Sequence, residues 1–255
     1  MLLAGKKGLV LNVTNEKSIG WSVADEAWRA GATVGIGGQS ERMMKNVGEL
    51  AASKPERMFA HQIDFGIESD IEALVEAVRR DYGALDFFVH SAAFAPREAL
   101  QGQFIDTSRE AFNTALEVSC YSLVRMCKAL EPVMNDGASI ITMSYLGSVR
   151  ACANYNVMGV AKAALESAVR YLAVDLGPRG IRVNTVSPGP MNTVAARGVK
   201  GLLDMITHVG DISPLKRAAT QEDVGRTSVY LLSDLSSGVT GQVIYVDSGY
   251  NVVAL

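Results

Sequence analysis

The sequence predicts one α/β domain, a doubly wound parallel sheet with helices on both faces. Three observations predict it. Apolar runs of strand length alternate with amphipathic stretches of helix length along the whole chain. The strand runs, such as Ser139-Ile140-Ile141-Thr142-Met143, are nearly continuous in apolar residues, as expected of strands covered on both faces. The 255 residues, 48% of them hydrophobic, suffice for a single large core, and no Pro/Gly/Ser-rich linker divides them.

Residues 8–13 read as the first strand, and 18–30 as a helix with Ile19, Val23, Ala27 and Ala30 on one face. A second strand (32–37) and helix (41–52) follow, then a third strand (58–63) closed by Asp64. Residues 68–80 form a helix and 85–90 the fourth strand. One long helix is expected over 108–134, then a fifth strand over 138–144. A second long helix is expected over 155–176, stopped by Gly177-Pro178. A sixth strand (181–187), a helix (221–232) and a last strand (242–246) complete the series. The one long irregular stretch is 188–214, and such a loop inside a compact domain is usually functional. In sheets of this Rossmann-like kind, ligands bind beyond the carboxyl ends of the strands. That rule gathers residues 12–18, 37–39, 64–65, 90–95, 144–145 and 187–195 around one crevice.

Composition removes several functions. A net charge of -3 with no block of like charges gives no footprint for nucleic acid. Cys120, Cys127 and Cys152 form no CxxC or Cys/His cluster, so neither zinc nor a disulfide framework is expected, and an odd, small count fits a reducing cytoplasm. No uncharged apolar stretch reaches the ~18 residues of a membrane helix, and the first residues lack the order of a signal peptide. His61, His90 and His208 make no metal motif, and no GxSxG, HExxH or GxxxxGK[ST] occurs. A soluble enzyme or binding protein remains.

A dinucleotide site wants a turn after the first strand in which backbone N–H groups approach a pyrophosphate at a helix N-terminus. Residues 12–22 offer only Gly20 as glycine, so spacing alone fits an ordinary capped turn equally well. Ser18 can cap the helix and offer its hydroxyl to a phosphate, and Asn12 tolerates a left-handed backbone. After the second strand, Gln39 can bond an adenosine ribose, and Arg42 can meet a 2′-phosphate or stand in solvent. Asp64 can accept from an adenine amino group with Phe65 beside the ring, or simply end its strand in solvent.

The strongest local signal is Tyr155 seven residues before Lys162. On a helix seven residues turn through roughly 700°, so both would share one face about 10 Å apart. A phenol and an ammonium on one face suit a reaction that builds negative charge on oxygen. A lysine can also hold ribose hydroxyls. The same spacing suits a partly buried tyrosine beside a surface lysine. Tyr145, after the fifth strand, is placed to touch a substrate or to cap the core.

In these residues the chain resembles the short-chain dehydrogenase/reductase superfamily. Within it, the chain is similar to the bacterial enoyl-acyl-carrier-protein reductases of fatty-acid synthesis. The motifs are Ser18-Ile19, residues 89–96, Ser144-Tyr145-Leu146-Gly147, residues 154–162, 189–193, and Val246-Asp247-Ser248-Gly249. Ordinary members place the catalytic tyrosine four residues before the lysine, where this chain has Met158, which cannot donate a proton. The enoyl reductases place it seven before, as here, and carry an additional tyrosine matched by Tyr145.

The resemblance implies NADH-dependent reduction of a trans-2-enoyl thioester on acyl-carrier protein, with NADH preferred to NADPH because Glu41 would repel a phosphate. Tyr145, Tyr155 and Lys162 would be catalytic. Asn12, Ser18, Ile19, Gln39, Asp64, Phe65, Ser91, Ala92, Lys162, Met191, Asn192, Thr193, Val194 and Ala195 would line the cofactor. Ala95, Tyr145 and Tyr155 would meet the substrate. Val199, Leu202, Leu203, Met205 and Ile206 give the 188–214 stretch an amphipathic helix, which could cover a fatty acyl chain or simply dock on the core. A homotetramer is implied by resemblance only. Asn12 and Ser22 depart from the family's glycines in the nucleotide turn; Ala92-Ala93, Pro188 and Asn192 depart where they bear on acyl preference. The alternatives are a carbonyl or alcohol dehydrogenase of the same superfamily and a non-catalytic nucleotide-binding homologue.

Overall fold

Among the described residues seven strands form one fully parallel sheet: β1 (Lys7–Leu11), β2 (Thr33–Gly38), β3 (Met58–Gln62), β4 (Leu85–His90), β5 (Met134–Met143), β6 (Arg182–Pro188) and β7 (Val243–Val246). The computed structural model describes residues 1–54, 56–193 and 201–253. The strand order is β3-β2-β1-β4-β5-β6-β7, so the chain reverses its direction of travel between β1 and β4. A crevice opens at that switch point. Eight helices wrap the sheet among the described residues: α1 (Ile19–Arg29), α2 (Glu41–Ala52), α3 (Glu68–Asp81), α4 (Arg109–Leu116), α5 (Ser122–Leu130), α6 (Val157–Leu176), α7 (Leu202–Ile212) and α8 (Gln221–Leu232).

Strand periodicity divides the core. Val10, Phe87, Val89 and Ile141 point to the side covered by α1, α2 and α8. Leu9, Leu11, Phe88 and Ile140 point to the side covered by α3, α5 and α6. Both sets are fully buried, which accounts for strands that read as continuous apolar runs.

The structure corrects two predicted helices. The expected helix over 108–134 is interrupted: a π-helical turn at Glu117–Tyr121 separates α4 from α5, and Pro132 ends the run so that Met134 already pairs with Leu85 in the sheet. The wide turn faces Ser119 toward the β4 loop, where its hydroxyl bonds both the N–H and the carbonyl of Phe94 (3.0 and 3.2 Å). The expected helix over 155–176 begins only at Val157. Asn154 and Asn156 hold φ of +59° and +38°, outside the helical region, so Tyr155 stands before the helix. Within 188–214, α7 occupies the second half, with Leu202 and Val209 buried.

The departure at Ser22 is absorbed by the fold. Helices α1 and α8 approach so closely that a Cβ on Gly225 would lie 2.8 Å from the Ser22 carbonyl oxygen and hydroxyl. The Ser22 hydroxyl donates to the Gln221 carbonyl at 2.7 Å. The glycine that permits this contact sits on α8.

Candidate active site

A cavity of about 820 Å³ opens at the carboxyl ends of β1, β2, β4, β5 and β6. At one end the β1 strand runs into Asn12, whose φ of +69° turns the backbone sharply while its side-chain amide donates to the Ser91 carbonyl at 3.0 Å. Ser18 then caps α1, its hydroxyl accepting from the Trp21 N–H at 3.2 Å. The turn depends on Asn12 more than on Gly20: a Cβ on Gly20 would meet nothing nearer than 3.4 Å. Beyond β2 and β3, the Gln39 amide donates to Asp64 at 3.0 Å. The other Asp64 oxygen accepts from the Gly66 N–H at 2.8 Å. An open helix N-terminus, an amide and a carboxylate along one wall make a donor and acceptor set suited to a dinucleotide.

At the other end Tyr145, Tyr155 and Lys162 line the same cavity. Lys162 is 3% exposed and donates from Nζ to the Met143 carbonyl at 2.6 Å. Burial brings its ammonium down to about 8. Tyr155 and Tyr145 pack with ring centroids 4.8 Å apart at 59°. Burial raises both phenols well above the ordinary tyrosine value, and Tyr145 raises Tyr155 further, so both remain hydrogen-bond donors at neutral pH. The Tyr145 hydroxyl donates to the Met205 sulfur at 3.4 Å, which ties it to α7. Ser144 is committed elsewhere: its hydroxyl donates to the buried carboxylate of Glu166 at 2.5 Å.

Behind the cavity, His90 is fully buried between Thr142 (3.0 Å) and Ser122 (2.8 Å). Ser122 gives its proton to the Val118 carbonyl at 2.7 Å, so it accepts from Nε2–H and Thr142 donates to Nδ1. Burial, and secondarily the Lys162 charge, push this imidazole down to about 3, so it is neutral.

A family model described as Enoyl-(Acyl carrier protein) reductase matches residues 13–251. The chain belongs to the enoyl-(acyl carrier protein) reductase family. It is 44% identical over 256 residues to the enoyl-[acyl-carrier-protein] reductase [NADH] FabI of Synechocystis, covering 99% of each chain. It is 46% identical to the enzyme of that name from Nostoc, again over 99% of each. Its fold matches the Bacillus cereus enoyl-acyl carrier protein reductase crystallised with NADP+ and indole naphthyridinone: TM-score 0.97, 42% identity, 100% of this chain and 99% of that one. The Anaplasma phagocytophilum reductase in complex with NAD matches at TM-score 0.95 and 41% identity, over 100% of this chain and 97% of that one.

For this member of the enoyl reductase family, the structure brings most of the expected residues to one cavity. Asn12, Ser18, Ile19, Gln39, Asp64, Phe65, Ser91, Ala92, Met191 and Thr193 line it, as do Ala95, Tyr145, Tyr155 and Lys162. Asn192 does not: it is exposed at the apex of a tight turn closed by the Thr193 N–H bonding the Met191 carbonyl at 2.9 Å, while Met191 and Thr193 on either side are buried. Val194, Ala195 and Val199 lie outside the described residues. The sharing of one helical face by Tyr155 and Lys162 is also corrected: Lys162 is on α6 and Tyr155 precedes it. Sequence reasoning missed Arg97, Glu117 and Cys152, which line the cavity from loop or π-turn positions with no periodic signal. Among the described residues no group of three His, Cys, Asp or Glu could hold a metal ion, and no helix is long and apolar enough to cross a membrane.

Proposed function

We propose that this chain reduces the double bond of trans-2-enoyl thioesters carried on acyl-carrier protein, with NADH as reductant, in fatty-acid synthesis. One observation carries the reading. A phenol held protonated and a buried lysine line one apolar cavity, while the position four residues before the lysine holds Met158, which has no proton to donate.

NADH, when bound, supplies a hydride to the β carbon of the thioester. Tyr155 donates a hydrogen bond to the thioester oxygen, where negative charge gathers; such a donor is typically worth roughly 3–4 kcal/mol of barrier. Lys162 holds the ribose on the nicotinamide side and its cation favours the enolate. Tyr145, tied to Met205, positions the reacting end of the acyl chain. Helix α7 acts as the cover: its Leu202 and Met205 line the cavity and keep water from the acyl chain. On the cofactor side, Asn12, Ser18, Ile19, Ser91 and Ala92 cradle the pyrophosphate and nicotinamide, and Gln39, Asp64 and Phe65 hold the adenosine.

We assign the enzyme to the cytoplasm as a homotetramer. The free thiols Cys120, Cys127 and Cys152 support the compartment. Tyr171 and Val174, 72% and 75% exposed on α6, support the assembly as an apolar face that subunits would cover. Light scattering at micromolar concentration tests it; a monomer mass refutes it.

The deciding experiment follows NADH absorbance with crotonyl and longer enoyl thioesters, and NADPH in parallel. Turnover of enoyl thioesters and not of simple ketones is the expected result. Reduction of ketones alone would assign the chain to the carbonyl reductases, a reading that Met158 and the engagement of Ser144 by Glu166 oppose. A protein whose melting temperature is unmoved by millimolar NADH and NADPH would be a non-catalytic homologue.

A further inference from the structure

We propose that Gly147 is a positioning residue for the Tyr155 phenol, and that the reaction requires its missing side chain rather than its backbone freedom. The inference rests on the reading of Tyr155 as the donor to the thioester oxygen. Tyr155 is not itself part of a helix. It precedes Val157, the first residue of α6, and is flanked by two left-handed asparagines. Its ring is backed instead by the short 3₁₀ turn Leu146–Ser148. A Cβ on Gly147 would lie 2.5 Å from Cδ1 and 2.8 Å from Cε1 of Tyr155, and 3.3 Å from Cδ1 of Tyr145. The ring therefore occupies a slot whose floor is the bare Gly147 backbone and whose wall is the Tyr145 ring, 4.8 Å away between centroids.

The floor cannot retreat. Gly159, in the first turn of α6, lies under it, and a Cβ there would stand 2.7 Å from the Gly147 carbonyl oxygen. The two glycines interlock the turn and the helix. A methyl group at 147 must instead push the tyrosine ring, by roughly 1 Å, before contact becomes ordinary. The ring pivots at its Cβ, so the hydroxyl, farther out, moves more than the ring carbon that is pushed. Misplacing a reacting group by about 1 Å can cost roughly 10²-fold in rate.

The test is a cycle of Gly147→Ala, Tyr155→Phe and the double variant, assayed with crotonyl-N-acetylcysteamine and NADH. Gly147→Ala is expected to lower kcat by roughly 10²-fold and leave the KM for NADH within about twofold. In the Tyr155→Phe background, which has no hydroxyl to misplace, the same substitution is expected to cost less than about threefold. A full loss in both backgrounds, or no loss in either, overturns the proposal. Melting temperatures give a second readout that needs no turnover. Gly147→Ala should lower the melting temperature of the parent by several degrees and that of Tyr155→Ala by much less, because the ring it strikes hardest is gone and only the 3.3 Å approach to Tyr145 remains. An equal drop in both overturns the slot. If the parent itself fails to oxidise NADH with enoyl thioesters, the functional reading falls, and the melting comparison still decides whether Gly147 seats the ring.

Discussion

The half of the cavity around Asn12, Ser18, Gln39 and Asp64 is made from strand ends, whereas in the half around Tyr145, Tyr155 and Met205 only Tyr145 adjoins a strand end, next to the Ser144 N–H that bonds the Val186 carbonyl at 2.8 Å, and the rest comes from segments beyond. In the first half the sheet ladder continues almost into the site. The Val13 N–H bonds the Gly37 carbonyl at 2.8 Å, the Ile63 N–H bonds Gly38 at 3.0 Å, and the Ser91 N–H bonds Leu11 at 3.3 Å. Each site residue lies within a few positions of a ladder bond. In the second half, position depends on left-handed asparagines, interlocked glycines and contacts of the Tyr145 phenol with the sulfurs of Met205 and Cys152. Substitutions in the first half should therefore weaken nucleotide binding by degrees, and those in the second should reduce turnover with binding intact.

Lys162 joins the halves, and its loss carries the largest expected effect. Lys162→Met should lower kcat/KM on the order of 10³-fold, removing a cation from the reacting end and a hold on the ribose together. The fold should survive, since an apolar chain of similar length replaces a buried ammonium. A melting temperature within a few degrees of the parent checks this. The pH profile sharpens the assignment. Because burial lowers this group from 10.5 to about 8, the cation is present below about 8 and lost above it. The kcat/KM of the free enzyme should then fall about tenfold per pH unit on the alkaline side. A flat profile to pH 10 would separate Lys162 from the chemistry.

Tyr155→Phe comes next. It should lower kcat on the order of 10²-fold and leave the dissociation constant for NADH unchanged. Fluorescence titration of NADH checks the second part, and a large loss of NADH affinity would mean that the two halves are not separable.

How far the sequence disclosed these halves follows the same division. Gln39, Asp64 and Ser91 were legible because an apolar run with a polar end marks a parallel strand, and ligands gather at such ends. Asn12 was legible because few residues besides glycine accept a left-handed backbone, and its φ is +69°. The helix over 155–176 was misread at its start. Asparagine tolerates left-handed geometry but does not announce it. The π-turn at Glu117–Tyr121 was equally invisible, and the contact it makes, Ser119 with Phe94, joins residues 25 positions apart. Arg97, Glu117 and Cys152 reach the cavity on segments that such tertiary contacts place. Local pattern identified the sheet and its strand ends, and long-range packing determined the catalytic seat.

Asp64→Ala measures the graded half. It removes a carboxylate that accepts from Gln39 and from the Gly66 N–H. One lost charge-assisted hydrogen bond to the nucleotide corresponds to about 1.5–3 kcal/mol, and compensation by Gln39 should keep the loss near the lower bound, about a tenfold rise in the KM for NADH. The kcat at saturating NADH should change by less than about twofold. A collapse of kcat instead would place Asp64 in the catalytic half.

The smallest effect should come from Ser22→Gly, which restores the glycine that the family's turn motif leads one to expect. If that glycine served the nucleotide, restoring it would tighten NADH binding. Here the helix contact already has its glycine at 225, and Ser22 uses its hydroxyl to bond Gln221 on α8, away from the cavity wall. The substitution removes one hydrogen bond and adds a helical glycine, so it should cost about 1–2 kcal/mol of stability, read by urea denaturation. NADH affinity should stay within about twofold, because no phosphate contact passes through this side chain. Tighter NADH binding would show that the turn, and not only the helix pair, is tuned from position 22, and the graded half would then extend into α1.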